Sequence, residues 1–290
     1  MTIAPEAPAP LRFLSLEITG RCQFTCPSHC YAQAGPGRTH GSMNKADWCR
    51  VLEEAVLLGA RTVQLIGGEP TLHPDFGDLV AHALGLGLNI RVYSNSYRVR
   101  ERHWAVLARP RVSLATTVYS DDPTEHDAIT GRPGSHAATV GNVAEALRRG
   151  VDVSVTVVDL GGGQRAEQAR TAMLALGVGG VHLDRVRAVG NAARGNVTPF
   201  SALCGRCGIG KAAILPDGSV AVCEIGRSLT GGSVAAGASL ADVLASARWA
   251  EVTARIPRRP GADPCAPDCA PTNDTCGPAK GDTCGPAEDE

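Results

Sequence analysis

The chain has 290 residues, enough for one large domain with an appendage, and a net charge of −1 that gives no footing for nucleic acid or an anionic membrane. Aromatic residues, at 4%, are too sparse for the stacking platforms of single-strand binding. No apolar run reaches the length of a membrane span, and the opening MTIAPEAPAP lacks both the basic and the apolar part of a signal peptide, so a cytoplasmic protein without membrane contact is expected.

In chain order, β-rich apolar runs predict strands over Arg12–Thr19, Thr62–Ile66, Asn89–Ser94, Val112–Tyr119, Val151–Val158 and Val181–Arg185. Amphipathic stretches between them predict helices over Lys45–Leu58, Phe76–Leu86, Glu101–Ala108, His136–Arg149 and Arg165–Leu176. Asn44 is placed to cap the first helix, with Asp47 in its opening turn, while Gly59, Gly87, Gly150 and Gly177 stand where helices end. Alternating strands and helices imply βαβ units and a parallel sheet. A doubly wound sheet and an open barrel of six βα units both satisfy this pattern.

Past residue 195 the character changes. Ala212–Leu215 and Ser219–Cys223 flank Pro216-Asp217-Gly218 and read as a hairpin, and Ser239 caps a short helix, Leu240–Ala247. From Pro257 the chain is rich in Pro, Gly, Asp and Cys, a composition that builds no apolar core without a staple. The expected division is 11–195, 196–256 and 257–290.

Eleven cysteines in a reducing compartment read as metal ligands rather than disulfides. Cys22, Cys26 and Cys30 follow the first strand in CQFTCPSHC. Three thiolates at short spacing suit a cluster of thiophilic metal; a zinc site is the alternative, with His29 as fourth ligand, and plain buried cysteines are a third reading. Three cysteines on a four-iron cluster leave one iron open to a substrate.

These residues carry a resemblance. LEITGRCQFTCPSHCYAQAGP followed by LIGGEPTLHPDF resembles the radical S-adenosylmethionine (SAM) superfamily, and within it the branch with SPASM or twitch auxiliary-cluster regions. The usual loop there is C-x-x-x-C-x-x-C; here Pro27, Ser28 and His29 fill the second gap, one residue more. The resemblance implies an α/β fold, a partial (β/α)6 TIM-like barrel, followed by a small cysteine-rich SPASM/twitch-like region. It implies a 4Fe–4S cluster on Cys22, Cys26 and Cys30, and SAM held by Gly67, Gly68, Glu69 and Pro70 at the end of the second strand. His29 would lie near the adenine, Ser94 and Asn95 near the ribose and carboxylate, with Thr117 and Arg187 as weaker entrants. The chemistry implied is reductive cleavage of SAM to a 5′-deoxyadenosyl radical that abstracts a substrate hydrogen.

Cys204, Cys207 and Cys223 resemble the start of a SPASM or twitch region, with Gly218 to Cys223 as its G-x-x-x-x-C. The tail adds Cys265, Cys269, Cys276 and Cys284, whose spacing departs from the family's. Cys49, on an amphipathic helix, reads as core. Setting it and the loop triad aside leaves seven of the eleven cysteines, enough for one complete auxiliary 4Fe–4S cluster and one with an open iron, or for one cluster with spare thiols. A disordered or zinc-binding tail is the competing reading.

The resemblance implies an enzyme that matures a ribosomally made peptide. The expected partners are that peptide, an electron donor such as flavodoxin or ferredoxin, and a separate leader-peptide-binding protein, since the first strand leaves no room ahead of it for a leader-recognition domain. A small-molecule dehydrogenase or bond-forming enzyme is the second reading, and a non-enzymatic iron–sulfur electron carrier the third. His73, Asp75 and the acidic stretch Asp121–Asp127 read as loop and helix-start residues, with magnesium binding a minor alternative; Asp217 reads as a turn.

Overall fold

The computed structural model describes residues 10–193 and 200–257. Strands β1 (Phe13–Thr19), β2 (Thr62–Gly67), β3 (Asn89–Tyr93), β4 (Val112–Val118), β5 (Asp152–Asp159) and β6 (Gly180–Arg185) lie parallel, each bonded to the next in sequence. The order never reverses. Right-handed crossovers that always step the same way put the helices on one face and leave the other to line a concave interior, whereas a doubly wound sheet needs a reversal. The strand order therefore selects the open barrel.

The sequence of β1, FLSLEIT, shows how the two faces are made. Leu14, Leu16 and Ile18 join the apolar core with Trp48, Val51 and Leu52 of helix α1 (Lys45–Leu57). Each such buried aliphatic side chain contributes about 2 kcal/mol. The alternate residues Ser15, Glu17 and Thr19 point inward, and all three are buried. Gln64 of β2 donates to Ser15 Oγ at 3.0 Å on that inner face.

Helices α2 (Phe76–Gly85), α3 (Glu101–Leu107), α5 (Ser135–Arg148) and α6 (Ala166–Ala175) fall within one residue or two of the expected spans. Asn44 caps α1 by accepting from the Ala46 and Asp47 amides, and Asp47 returns a bond from the Asn44 amide. One helix was not anticipated as such: α4 (Pro123–Thr130), in the stretch read as loop and helix start. Asp122 caps it through Glu125 N at 2.9 Å, and Asp127 caps the next turn by accepting from His136 N and Ser135 Oγ. The acidic residues are thus engaged in folding the chain.

The C-terminal hairpin is not separate from this sheet. Strand β7 (Lys211–Ile214) pairs in parallel with the free edge of β1, and β8 (Ser219–Ala221) and β9 (Thr230–Ser233) continue antiparallel, giving nine strands in one sheet. Helices α7 (Leu240–Ala245) and α8 (Ala247–Ala254) cover this extension. Arg50 of α1 ties it down, donating to Val234 O at 2.7 Å and Ala238 O at 2.8 Å. Strand β9 and helix α8 escaped the sequence reading, because TGGS carries no apolar alternation. No helix among the described residues is long and apolar enough to cross a membrane.

Candidate active site

The loop after β1 is folded around its sulfurs. Cys22 Sγ accepts from Phe24 N at 3.4 Å and Asn95 Nδ2 at 3.5 Å, and Cys30 Sγ accepts from Ala34 N at 3.3 Å. Such donors favour anionic sulfur. Cys26 takes a left-handed backbone, φ 33°, as does Gln33, φ 49°. Two neighbours clamp the loop: Thr130 O at the end of α4 accepts from Thr25 N and Cys26 N, and Asn191 after β6 donates to Cys26 O and Cys30 O. At Gly190 a Cβ would stand 2.3 Å from Cys30 O, so only glycine allows that approach.

Burial pushes the Cys22 thiol up to about 12, with Glu69 and Cys30 adding to the rise, and burial likewise raises Cys26 and Cys30. Free thiols here stay protonated; a bound metal would displace those protons. The extra loop residue forms part of a turn over residues 27–29, and the His29 ring packs on Tyr119 with centroids 4.6 Å apart. Burial lowers its pKa to about 4, which keeps the imidazole neutral.

The GGEP segment does two different things. A Cβ on Gly67 would stand 2.3 Å from Thr19 O, and one on Gly68 2.1 Å from Arg21 O. These glycines let the end of β2 lie against the backbone entering the cysteine loop, and both line the cavity beside it. Glu69 and Pro70 are buried and are not among the cavity's lining residues. Glu69 instead gathers the strand ends: Oε1 accepts from Thr71 Oγ1 at 2.6 Å and Thr71 N at 3.1 Å, and Oε2 accepts from Asn95 N at 2.8 Å. Ser94 Oγ lies 2.9 and 3.0 Å from the two oxygens. Burial raises the Glu69 pKa while these donors pull it back. In this structure Glu69 is a buried brace for Ser94 and Asn95.

The cavity spans about 1160 Å3 including its open part and is lined by all three loop cysteines. Ser94, Asn95, His29, Thr117 and Arg187 line it too, so the structure brings together most of the residues the sequence singled out. Tyr93 and Tyr119 complete the inner wall, Tyr93 OH lying 2.9 Å from Thr117 Oγ1. Arg187 pairs with Asp184 at 3.4 Å at the mouth.

A second thiol group lies in the C-terminal region. Cys207 and Cys223 are buried with their sulfurs 3.1 Å apart, and contacts with Cys204 and Cys223 raise the Cys207 pKa well above its ordinary value. Gly226 N donates to Cys223 Sγ at 3.2 Å. Lys211 is buried beside them, 3.9 Å from Glu224; burial alone would lower its pKa, but Glu224 and the thiols hold it raised. Cys49 packs against the main core. Cys265, Cys269, Cys276 and Cys284 lie outside the described residues.

Several residues of the site escaped the sequence reading. Tyr31, Glu224 and Ile225 form the wall facing the C-terminal region. Glu17 sits behind it, fully buried, its pKa raised to about 7 by burial against the opposing pull of Arg227. The signal was present: Ser15, Glu17 and Thr19 alternate with aliphatics in β1, which marks a polar inner face.

Comparison with known proteins fits this geometry. PqqA peptide cyclase of Ruegeria pomeroyi is 32% identical over 162 residues, 53% of this chain and 42% of that protein. The enzyme of the same name from Rhodopseudomonas palustris is 30% identical over 157 residues, 54% of this chain and 41% of that one. The match thus spans less than half the length of these curated relatives. Among solved structures, Streptococcus suis SuiB bound to precursor peptide SuiA superposes with a TM-score of 0.71 at 14% identity, covering 84% of this chain and 67% of that one. The structure of anSMEcpe with bound AdoMet gives 0.63 at 13% identity, covering 84% and 79%. The profile of the radical SAM superfamily matches residues 16–175, from β1 through the last residue of α6 and more than half the chain, and the chain belongs to that family.

Proposed function

We propose that Cys22, Cys26 and Cys30 hold a 4Fe–4S cluster, that SAM lies against it in the adjoining cavity, and that the enzyme abstracts hydrogen from a ribosomally made peptide. The observation that carries this is the convergence of the three loop thiols on one cavity, two of them already receiving N–H donors. The donor set fits the group: soft sulfurs, an odd number of them, and space in front for a ligand.

Held by Cys22, Cys26 and Cys30 and reduced, the cluster would supply the electron for cleavage of SAM's sulfonium bond to a 5′-deoxyadenosyl radical. This chain's own residues do the rest. Gly67 and Gly68 present backbone at the cavity wall, Ser94 and Asn95 offer polar groups held in place by Glu69, and neutral His29 with Tyr119 forms an aromatic wall suited to a purine. The apolar lining from Phe24, Ile66, Val158 and Val189 helps exclude water from the reacting centre.

A peptide substrate is supported by the relatives, PqqA peptide cyclase and SuiB with its precursor peptide. An electron donor such as flavodoxin or ferredoxin, a separate leader-binding protein and a cytoplasmic location belong to the same reading. Cys204, Cys207 and Cys223 would supply three thiolates to an auxiliary cluster, and the tail cysteines any further ligands.

Anaerobically reconstituted protein incubated with SAM and dithionite should release 5′-deoxyadenosine, and a Cys22/Cys26/Cys30 triple alanine variant should release none. Co-expression with short peptides encoded beside the gene should shift one of them in mass. Iron-loaded protein that never consumes SAM would identify an electron carrier and sink the proposal. SAM cleavage with only a small molecule altered would move the substrate to the second class.

A further inference from the structure

Each thiol group has beside it a buried carboxylate paired with a cation. Lys211 and Glu224 stand beside Cys204, Cys207 and Cys223. At the cavity loop the pair is Arg227 with Glu17, and Arg227 reaches further. It lies only four residues past Cys223, in the turn after β8. Its Nη2 is 3.0 Å from Glu17 Oε2 on β1. Its Nη1 donates to Ala32 O at 3.4 Å, two residues beyond Cys30, and its guanidinium lies 6.0 Å from the Tyr31 ring centroid.

We propose that Arg227 is a positioning residue that fastens the C-terminal thiol hairpin to the Cys22/Cys26/Cys30 loop and fixes a positive charge beside that loop. The inference rests on the reading that the loop carries the cluster. The fastening has physical content because Glu17 is 1% exposed, so whenever it is ionised its charge is answered by Arg227 rather than by water. Arg227 is a quarter exposed, enough for the guanidinium to stay hydrated on one side while it pairs with Glu17 and donates to Ala32 O. The charge also sits close to the loop, with the guanidinium at Ala32 O two residues from Cys30 and beside the Tyr31 ring. A fixed cation there stabilises the reduced, more negative form of a cluster and so raises its reduction potential.

The test has two arms. In metal-free protein, hydrogen exchange at residues 33–35, whose amides bond Cys30 O, Cys30 Sγ and Gly20 O, should quicken roughly tenfold in Arg227→Met, while exchange in β3 and β4 stays unchanged. At pH 8, where Glu17 is ionised, Glu17→Gln, which removes the partner and leaves the cation, should also quicken it. In anaerobically loaded protein the midpoint potential of the loop signal, identified by its loss in the triple alanine variant, should fall in Arg227→Met. It should stay near the parent value in Arg227→Lys, which keeps the charge and loses the fork. Unchanged exchange in both Arg227→Met and Glu17→Gln, or a potential indifferent to the loss of charge, overturns the proposal. If Arg227→Met does not fold, Arg227→Lys and Glu17→Gln carry the exchange arm, and both quickening or neither decides it. Failure of the loop to take up iron would instead refute the cluster assignment, and the exchange arm would still read the fastening.

Discussion

Replacing Glu69 by glutamine isolates the brace behind the cavity wall. The carboxylate receives four donors, from Thr71 N, Thr71 Oγ1, Ser94 Oγ and Asn95 N. A glutamine of the same shape keeps one oxygen, which Thr71 and Ser94 can share, and turns an NH2 toward the Asn95 amide. One buried backbone donor then loses its acceptor and faces another donor, at a cost of about 2 kcal/mol. Alanine leaves both the Thr71 and Asn95 amides unanswered and should cost about 4 kcal/mol. Urea unfolding of the metal-free protein, followed by circular dichroism, reads both values. Asn95 is also the side chain that donates to Cys22 Sγ. Iron bound per chain should therefore drop in the same order, parent above glutamine above alanine. A glutamine variant within about 0.5 kcal/mol of the parent would refute the idea that Glu69 acts by gathering these strand ends.

Gly68→Ala would set a Cβ 2.1 Å from Arg21 O, a backbone atom that yields only if the cysteine loop shifts. A loss of about 3 kcal/mol in urea unfolding is expected, together with failure to reconstitute iron; normal iron content would show that the close approach is dispensable. Glu17→Gln tests the buried carboxyl through pH. Its pKa stands near 7 in the fold against an ordinary 4.5, so the folded chain keeps a proton that the unfolded chain has released. That contribution is complete below the ordinary value and is lost as pH climbs to about 7, a difference of about 3 kcal/mol. The parent should accordingly lose stability relative to Glu17→Gln between pH 5 and pH 8 in paired urea curves, and an unchanged difference would contradict the burial argument.

Much of the site was legible because its signals are local. Cys22, Cys26 and Cys30 stand on one short loop, and the glycines that follow β2 announce a close backbone approach. The sequence did not reveal what each glycine approaches: it is the Thr19 and Arg21 backbone. Glu69 showed the same limit. The motif singles it out at a strand end but does not show that it is buried and bonded by Thr71, Ser94 and Asn95, the last two more than twenty residues away. Tyr31, Glu224 and Arg227 went unnoticed because their roles come from contacts across some two hundred residues, such as Arg227 with Glu17 and Ala32.

By itself the sequence determined six strands with helices between them, the cap at Asn44 and the cysteine loop, since apolar period, capping chemistry and ligand spacing act over a few residues. Only the tertiary structure decided between a doubly wound sheet and an open barrel, because that depends on whether strand order reverses. It alone joined β7 to the free edge of β1, which places Glu224 at the cavity and Arg227 beside its loop. Backbone pairing between distant strands leaves little trace in side-chain pattern: KAAI would form the same ladder at many edges, and the fold supplies the one where β1 is open.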